Sequence, residues 1–549
     1  MPDFYESDAG LLVLYIRTEG GFSMKVIKTI IGLLLLIIVI TACGQTETHE
    51  EPELIRISVM AWDASESFGD EPCEIYAYIR NRFGIEFVPH TVGWDNMHDL
   101  PHLWAAAGTL PDIIGGVDFV RSPTYFDWIE RGIVRPLPDD LSSFPNVSKW
   151  VSMPSVQALN IDGNTYFIPR GTVPYSEWTV MARNIINRRD WREQLGIPIP
   201  ETTEDFINMW RAFSDPANDL NNGSIVFGVL PAAPFSLITQ TFATFGDTRN
   251  EWIMTDDGYM VLPAFEPTSL PLLSFWRQVF NERLMDPDFV TQAMLTSIES
   301  FAAGRAGTLL RQASPIHLYR LYTEWNIFQP DNNFFESIEI LFPPYQPGII
   351  PRYLDGAGFW SETYFNASVD DEKMHVILEY FDWAKSPEGL RMMVYGFEGR
   401  DFIYQNGEIN LLTEINPLTG RHMIAADLYQ FARGGMRDLA IWSGDALEYE
   451  NPAIPSEIRE MSTAAKRWIL DTPGNNLVQR DPRINAINIH ETSTFPLSAT
   501  EEWVAFITNT SAVSDEDLFN QFYTRWLANG YAAAREAMTR EVHLRGYTP

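Results

Sequence analysis

Cysteine and histidine are scarce in this sequence of 549 residues, which holds 2 Cys and 9 His. The HExxH zinc motif, the GxSxG nucleophile elbow and the phosphate-binding loop GxxxxGK followed by Ser or Thr are all absent. The sequence therefore lacks the signatures of a zinc protease, an α/β-hydrolase and a P-loop nucleotidase. We expect no catalytic residues and a protein that is not an enzyme.

Basic residues are also few, because 39 Lys and Arg stand against 73 Asp and Glu, which gives a formal charge of −34. Such an excess of negative charge repels nucleic acid and anionic membrane surfaces. We therefore exclude nucleic acid as a partner. With 45% hydrophobic and 13% aromatic residues, the chain can nevertheless bury a large core, and its length predicts more than one domain.

A short, strongly apolar run lies near the N-terminus, from Ile30 to Ile40, after Lys25 and Lys28. Small residues follow it, which is the layout of a signal peptide, and it is well short of the roughly 20 residues that cross a bilayer. The segment ITAC at 40–43 looks like a lipobox, where bacterial processing attaches diacylglycerol to the cysteine and cleaves before it. We expect Cys43 to be the lipidated mature N-terminus. The alternative is an ordinary cleaved signal beside an incidental cysteine.

These features divide the N-terminal region into segments. The signal needs nothing before Met24, so we interpret 1–23 as an over-long gene prediction and 24–42 as the signal peptide. Residues 43–53 are expected to be the lipidated cysteine and a flexible tether, because they contain Glu and Thr without an apolar pattern. Lipidation leaves only Cys73, so we expect a packed thiol there and no internal disulfide.

Strand and helix patterns alternate after the tether. The predicted elements are a strand at 55–59, a helix at 76–83, strands at 85–88 and 110–114, the last closed by Gly115 and Gly116, a helix at 200–213 capped by Thr202 or Thr203, and helices at 377–384 and from Pro387. Such alternation is typical of an α/β protein, whose ligand loops lie at the carboxyl ends of the strands.

Several short segments also follow one another in a particular order. They are LPDII at 110–114, IERGIVRPL at 129–137, DGNTYFIP at 162–169, RDWREQLGI at 189–197, the helix at 200–213, DPDF at 286–289, FAAGRAG at 301–307 and SPEGLRMMVYGFEG at 386–399. This series of segments, which follows a lipobox in the sequence, resembles the family 1 extracellular solute-binding proteins. It is most similar to the lipoproteins related to maltose-binding protein that serve oligosaccharide importers.

The resemblance implies an α/β, two-lobed fold of the type II periplasmic-binding-protein kind, with a ligand cleft between lobes joined by crossing strands. We accordingly expect residues 54–170 and 352–401 to form lobe 1, and residues 171–351 and 402–549 to form lobe 2. The crossings are expected just after Pro169, near 353–360 and after about Asp401.

The resemblance also implies a function. The protein would capture an oligosaccharide or a similar solute and deliver it to the permease subunits of an ABC transporter. It would act as a monomer, exported and held by its lipid on the outer face of the bacterial cytoplasmic membrane.

A site for a neutral sugar needs planar aromatic rings and a few bidentate polar groups, because sugars present flat C–H faces and hydroxyl groups. Residues of these types follow predicted strands or lie beside predicted crossings, with two further candidates in loop-like sequence. The candidate ligand-binding residues are Trp62, Asp63, Trp94, Asp95, Asp118, Arg170, Tyr175, Trp178, Trp360, Glu398 and Trp442. For any one tryptophan, packing is the alternative role. Within helical patterns we assign to packing Trp128, Trp191, Trp210, Trp276 and Trp383.

No cofactor is expected, although the loop at 215–223 leaves calcium open. Proteins of the group that the chain resembles often carry an acidic, asparagine-rich calcium loop after the helix that corresponds to 200–213. A calcium loop needs oxygen side chains at alternate positions and Gly at the sixth. Counting back from Gly223 in the segment DPANDLNNG puts Leu220 at a ligand position and leaves no carboxylate at the first. The match is therefore degraded.

Two other classes of protein remain open. An exported glycoside hydrolase, or another carbohydrate-active surface lipoprotein, would use carboxylates and aromatic rings equally well, although carboxylates are expected on any acidic secreted surface. A surface-adhesion lipoprotein would show no cleft closure on small ligands. Assaying hydrolysis of oligosaccharides separates the first class from a binding protein, which binds saturably without turnover.

Overall fold

The computed structural model describes residues 54–547 apart from short gaps. The gaps are 69–72, 94–95, 121, 123, 172–182, 235, 240–241, 292–293, 344–348, 350–351, 355–358, 417–420, 433–434, 440–448, 450, 475, 479–483, 485–486, 488 and 494–496. The chain divides into two compact units, residues 1–54 and 55–549, and every element below belongs to the second. The predicted signal peptide, Cys43 and the tether lie outside the described residues.

The strands of the described residues fall into two main sheets and three short pairs. In chain order they are β1 (Ile55–Trp62), β2 (Ile85–Val92), β3 (Ile113–Val117), β4 (Phe167–Gly171), β5 (Arg183–Arg188), β6 (Phe227–Pro231), β7 (Ile253–Met254), β8 (Met260–Val261), β9 (Ala306–Gln312), β10 (Ile338–Leu341), β11 (Arg352–Leu354), β12 (Phe359–Phe365), β13 (Phe402–Gln405), β14 (Glu408–Leu411) and β15 (Asn476–Val478).

Helices connect the strands and cover the sheets. They are Glu74–Phe83, Asp99–Ala107, Thr124–Glu130, Pro145–Val151, Pro154–Gln157, Arg189–Gln194, Thr203–Ser214, Ser236–Thr239, Phe242–Phe245, Leu270–Asn281, Met294–Ala302, Pro315–Phe328, Phe334–Ser337, Asp371–Ala384, Pro387–Tyr395, Ala425–Leu428, Gly435–Asp438, Ser456–Asp471, His490–Ser493, Ala499–Ile507, Asp515–Trp526 and Ala532–Leu544. Short 3₁₀ turns lie at Ala64–Ser67, Pro216–Asn218, Pro263–Phe265, Pro267–Ser269, Pro287–Thr291 and Gln430–Ala432, and a π turn lies at Leu527–Tyr531.

The first sheet has the strand order β2-β1-β3-β12-β4. β1 pairs in parallel with β2 and β3, whereas β12 lies antiparallel between β3 and β4. Successive side chains of a strand point to opposite faces. Val59 therefore packs in a cluster with helix Asp371–Ala384, and Met60 packs on the other face with helix Thr124–Glu130. Helices on both faces confirm the predicted α/β class.

The second sheet has the order β10-β5-β9-β6 and is also covered on both faces. Ile185 and Ile186 are neighbours in β5 and pack into different clusters. The larger cluster contains Trp210 and Trp276, whose rings stack with centroids 5.9 Å apart. The five tryptophans assigned to packing are all buried, between 0% and 5% exposed, which confirms that assignment.

Local sequence explains where two predicted helices begin. The Thr202 hydroxyl accepts from the backbone N–H of Asp205, whose carboxylate accepts in return from the Thr202 N–H. This capping box starts helix Thr203–Ser214, so Thr202 is the cap. Helix Pro387–Tyr395 has proline at its first position and the Ser386 hydroxyl at its cap. Both helix predictions are confirmed.

Segments on either side of the expected crossings pack on different sheets. β4 ends at Gly171 and β12 begins at Phe359, and the strands of the second sheet lie between them in the chain. Beyond Asp401, where the third crossing is expected, Phe431 and Leu439 pack in the cluster of β1, whereas Ile454 packs with the second sheet. The lobe boundaries remain a prediction.

Among the described residues, no helix combines the length and the apolar character needed to span a bilayer.

Candidate ligand-binding site

Three predicted site residues meet at one edge of the first sheet. Trp62 ends β1, Arg170 lies one residue before the end of β4, and Trp360 is the second residue of β12. The two indole rings stack with centroids 5.5 Å apart and an interplanar angle of 14°. The Arg170 guanidinium carbon lies 4.3 Å from the Trp62 ring centroid and 4.6 Å from that of Trp360. We call these three residues the indole–arginine cluster.

Strand topology explains this meeting. β12 is antiparallel to its neighbours, so its first residues lie beside the last residues of β3 and β4, and Phe359 pairs with Gly171. The register shifts between Phe359 and Glu362, at a bulge where Ser361 has a φ of 63°. A bulge re-aims the side chains beside it. Trp360 precedes this bulge and remains half-buried.

Two glycines make room for Trp62. Gly116 has a φ of 75°, and a Cβ atom there would lie 2.9 Å from Cη2 of the Trp62 ring. A Cβ atom on Gly435 would lie 2.1 Å from the Trp62 carbonyl oxygen. On another edge of the ring, Nε1–H donates to the Met97 sulfur at 3.1 Å. Trp62 is therefore held rigidly and is only 6% exposed, so Trp360 presents the more accessible ring of the cluster.

A buried carboxylate organises the loop that follows β3. Glu362 in β12 is 0% exposed, and its Oε1 accepts from the backbone N–H groups of Phe119 and Val120 at 2.5 and 2.8 Å. The Tyr364 hydroxyl donates to the same oxygen at 3.0 Å. Burial, and next the nearby Glu362 charge, raise the pKa of the Tyr364 hydroxyl well above its usual value. These bonds fix the position of Asp118, a half-buried site candidate that directly precedes Phe119.

A buried lysine lies behind Arg170. Lys385 is 4% exposed, and its ammonium group donates to the carbonyl oxygen of Pro169 at 3.2 Å. Burial lowers the pKa of Lys385 from 10.5 to about 7, and the positive charge of Arg170 adds to that effect. The ammonium nitrogen also lies 5.4 Å from the Trp150 ring centroid. Sequence patterns missed Lys385 because it follows a helix that looks purely structural.

The other predicted site residues have different outcomes. Asp63 is exposed just beyond Trp62 and has a φ of 47° at the start of a 3₁₀ turn. Glu398 is exposed in a turn that packs on helix Glu74–Phe83 through neighbouring residues. Its predicted role in the site therefore gains no support. Five candidates lie outside the described residues, namely Trp94, Asp95, Tyr175, Trp178 and Trp442.

The second sheet contributes polar residues that sequence reasoning missed. Asn184 in β5 pairs with Arg311 in β9, close to the point where the chain enters this sheet from the first lobe. Asn184 is 0% exposed, and its amide atoms have no hydrogen-bond partner among the described residues; Arg311 is 3% exposed. The sequence feature that could have indicated Asn184 is a polar residue near each end of a buried strand, as in RNIINR at 183–188.

Cation–π contacts also join segments that pack on different sheets. The Arg421 guanidinium, beyond β14 and paired with Asp427, lies 5.8 Å from the ring centroid of Tyr319 on helix Pro315–Phe328. At the C-terminal end, Arg545 lies 5.4 Å from the ring centroid of Phe126 on helix Thr124–Glu130. Both contacts therefore connect segments that are far apart in sequence.

Several curated proteins are similar to this chain in sequence, although no family model matches it. The polygalacturonan/rhamnogalacturonan-binding protein YtcQ of Bacillus subtilis is 23% identical over 346 residues, which cover 62% of this chain and 64% of YtcQ. The fructooligosaccharide ABC transporter substrate-binding protein FusA of Streptococcus pneumoniae is 28% identical over 201 residues, 33% of this chain and 36% of FusA. The lipoprotein LipO of B. subtilis is 21% identical over 402 residues, 71% of this chain and 76% of LipO. The chain thus spans less than two thirds of the length of YtcQ and of FusA.

Solved structures match the fold over almost their full length. The alginate-binding protein AlgQ2 without calcium ion has a TM-score of 0.67 at 16% identity, covering 89% of this chain and 98% of AlgQ2. An EF-hand mutant of FusA in complex with fructo-nystose has a TM-score of 0.64 at 18% identity, covering 89% of this chain and 99% of FusA. The predicted resemblance to the extracellular solute-binding proteins is confirmed. The predicted two-lobed solute-binding fold is confirmed with it.

Of these two matched structures, the one of AlgQ2 is a form without calcium ion and the one of FusA is an EF-hand mutant. Within the part of the chain that the structure describes, no group of three or more His, Cys, Asp or Glu side chains could hold a metal ion. The indole–arginine cluster offers aromatic faces and a guanidinium.

Proposed function

We propose that this protein captures an oligosaccharide in the cleft between its lobes and delivers it to the permease of an ABC transporter. The observation that carries the proposal is the indole–arginine cluster at the carboxyl edge of the first sheet. Ligands of open α/β sheets bind at that edge. The names of YtcQ and FusA, which refer to polysaccharide and oligosaccharide ligands, support the same class of solute.

The chemistry of the cluster suits a sugar. The half-buried ring of Trp360 offers an apolar face to sugar C–H groups, and Trp62 stacks behind it and limits its motion. The half-buried Asp118 carboxylate would accept charge-assisted hydrogen bonds from hydroxyl groups, whereas Arg170 is only 1% exposed and lies against the two rings. Asn184 and Arg311 would supply polar contacts from the second lobe. We propose that the ligand contacts both lobes and is released unchanged.

The test is a binding screen on the mature protein, with calorimetry against neutral and uronate-bearing oligosaccharides. We expect saturable binding of at least one of them, and Trp360→Ala should weaken it about 5- to 150-fold, equivalent to about 1 to 3 kcal/mol for one lost stacking face. The control is Trp104→Ala, which removes a half-buried tryptophan that packs on His90 in β2, outside the cluster. Its affinity should equal that of the wild type.

Two results would contradict the proposal. Equal affinity of Trp360→Ala and wild type would place the sugar site elsewhere. Shorter sugars in the recovered ligand, detected by chromatography, would show turnover and favour a glycoside hydrolase.

We further propose that lipid on Cys43 anchors the mature protein to the outer face of the cytoplasmic membrane. The motif at 40–43 motivates this, and LipO is a relative named as a lipoprotein. Cells grown with labelled palmitate should label the wild-type protein but not Cys43→Ala. Cys73→Ala is the matched control and should remain labelled. An unlabelled wild type, expressed at a normal level, would rule the anchor out.

A further inference from the structure

The loop at 215–223, which the sequence left open for calcium, is held by its own hydrogen bonds. The Asp215 carboxylate accepts from the backbone N–H of Ala217 at 2.9 Å, and the Asp219 carboxylate accepts from that of Gly223 at 2.5 Å. Both aspartates are exposed, and each bonds within the loop itself. Their oxygens therefore cap turns instead of converging on a common point.

The asparagines of this loop act as donors. Asn221 Nδ2 donates to the backbone carbonyl oxygens of Ala303 and Gly304 at 3.3 and 3.0 Å. Asn218 Nδ2 donates to the carbonyl oxygen of Ala212 at 2.8 Å. Carbonyl oxygens only accept hydrogen bonds, so the atom that faces them must be the amino nitrogen of the carboxamide. Asn221 thus ties the loop to the turn before β9.

The turn is shaped to receive this side chain. Gly304 has a φ of 78°, and a Cβ atom there would lie 3.0 Å from Nδ2 and 3.1 Å from Oδ1 of Asn221. A left-handed glycine therefore allows the carboxamide to approach the backbone closely. The backbone at Gly304 and the Asn221 carboxamide are therefore complementary in shape.

Calcium requires the opposite arrangement, because it is bound by six to eight oxygen atoms at about 2.3 to 2.6 Å. Here the carbonyls of Ala303 and Gly304 face an N–H donor, and Leu220 occupies a position at which a ligand would be needed. The residues do not fit the ion. We propose that the Asn221 carboxamide takes the structural place of a calcium ion, so that this lobe folds and keeps its stability without metal. The proposal does not depend on the identity of the sugar.

The experiment compares melting temperatures in EGTA and in about 5 mM calcium, above the dissociation constants of weak extracellular calcium modules. The wild type should melt within about 1 °C in the two buffers. Asn221→Asp places an acceptor against two carbonyls and should melt at least about 2 °C lower in EGTA than the wild type. The matched control is Asn222→Asp, which makes the same charge change on the exposed neighbour and should melt like the wild type.

Each outcome is decisive for one part of the proposal. A calcium-dependent gain by Asn221→Asp that the wild type lacks would support it, because an added carboxylate would then supply the missing ligand. A saturable rise of the wild-type melting temperature by more than about 2 °C would overturn it. Equal melting temperatures of Asn221→Asp and Asn222→Asp in EGTA would also overturn it. They would show that the Asn221 hydrogen bonds do not stabilise the loop. The wild-type comparison stands even if Asn221→Asp does not fold.

Discussion

At the residue scale, the Glu362 carboxylate is the group on which the site loop most depends. It accepts from two backbone N–H groups and a tyrosine hydroxyl in an environment without solvent. A buried donor that loses its acceptor costs roughly 1 to 3 kcal/mol. The loop that carries Asp118 is therefore held by one side chain from a strand far away in sequence.

We expect Glu362→Ala to lower the free energy of unfolding by about 2 to 4 kcal/mol, since it leaves two buried backbone donors without this acceptor. Urea titration followed by tryptophan fluorescence measures the change. The control Glu398→Ala removes an exposed carboxylate and should change stability by less than about 0.5 kcal/mol. Identical urea midpoints for the two variants would show that the Glu362 bonds add nothing to stability.

Lys385 makes stability depend on pH. Its pKa is about 7 in the folded protein, below its ordinary 10.5, so between these values the unfolded chain binds more protons than the native one. Stability from this group therefore rises as pH increases from about 7 and is lowest where the lysine is fully charged in both states. The rise is at most about 1.4 kcal/mol per pH unit.

Lys385→Met should flatten this rise between about pH 7.5 and 9.5, because it removes the buried titrating group while keeping an apolar side chain of similar length. Urea unfolding at several pH values gives the slope. Lys149→Met, an exposed lysine exchanged in the same way, should keep the wild-type slope. Parallel profiles for all three proteins would contradict a depressed pKa at Lys385.

At the scale of the element, β3 depends on its two glycines. The sequence pattern predicted that Gly115 and Gly116 close this strand, but both lie within it. A Cβ atom on Gly115 would lie 1.9 Å from Leu439 Cδ2, and one on Gly116 would meet the Trp62 ring. The strand therefore keeps glycine because the Leu439 side chain and an indole pack directly on its backbone, which a single sequence cannot reveal.

We expect Gly116→Ala to destabilise the protein and to weaken oligosaccharide binding, because its methyl group would displace Trp62 from beneath Trp360. The matched control is Gly132→Ala, where φ is also positive, at 64°, but no atom lies within 4 Å of the added Cβ. That control should lose about 1 to 2 kcal/mol from backbone strain alone and bind normally. Gly116→Ala should lose a further 1 to 3 kcal/mol or so from overpacking. If Gly116→Ala and Gly132→Ala lost the same free energy of unfolding and bound with the same affinity, the contact between Gly116 and the Trp62 ring would have no role in the site.

At the scale of the whole molecule, Arg421 and Arg545 contact rings on the opposite lobe. An exposed cation–π contact contributes about 0.5 to 1 kcal/mol, enough to change the ratio of closed to open forms about 2- to 5-fold. A ligand that touches both lobes adds its own differential affinity to the same equilibrium. We therefore expect the two arginines to favour a closed form of the ligand-free protein.

We expect the double variant Arg421→Ala/Arg545→Ala to show a larger radius of gyration by small-angle scattering without ligand, and a weaker apparent affinity. A saturating oligosaccharide from the binding screen should return it to the compact form of the ligand-bound wild type. Arg540→Ala, an exposed arginine on the same C-terminal helix, is the control and should scatter like the wild type. If neither ligand nor the double variant alters the scattering, the lobes do not close as a switch.

The sequence alone predicted features that are encoded within a few residues of one another. Alternating side chains mark β1, a cap at Thr202 starts one helix, and the tryptophans at helical spacing are buried as expected. Each of these depends on local backbone geometry and amphipathic periodicity, which act before the chain has a tertiary structure. The family resemblance added the two-lobed arrangement.

Only the tertiary structure decided which of these residues form the site. Trp62 and Trp360 meet because β12 enters the first sheet antiparallel, and a bulge at Ser361 positions the residues on either side of it. Glu362 and Lys385 escaped prediction because one looks like a strand residue and the other like the end of a helix. Strand order depends on contacts between distant segments, whose free energy no local pattern contains.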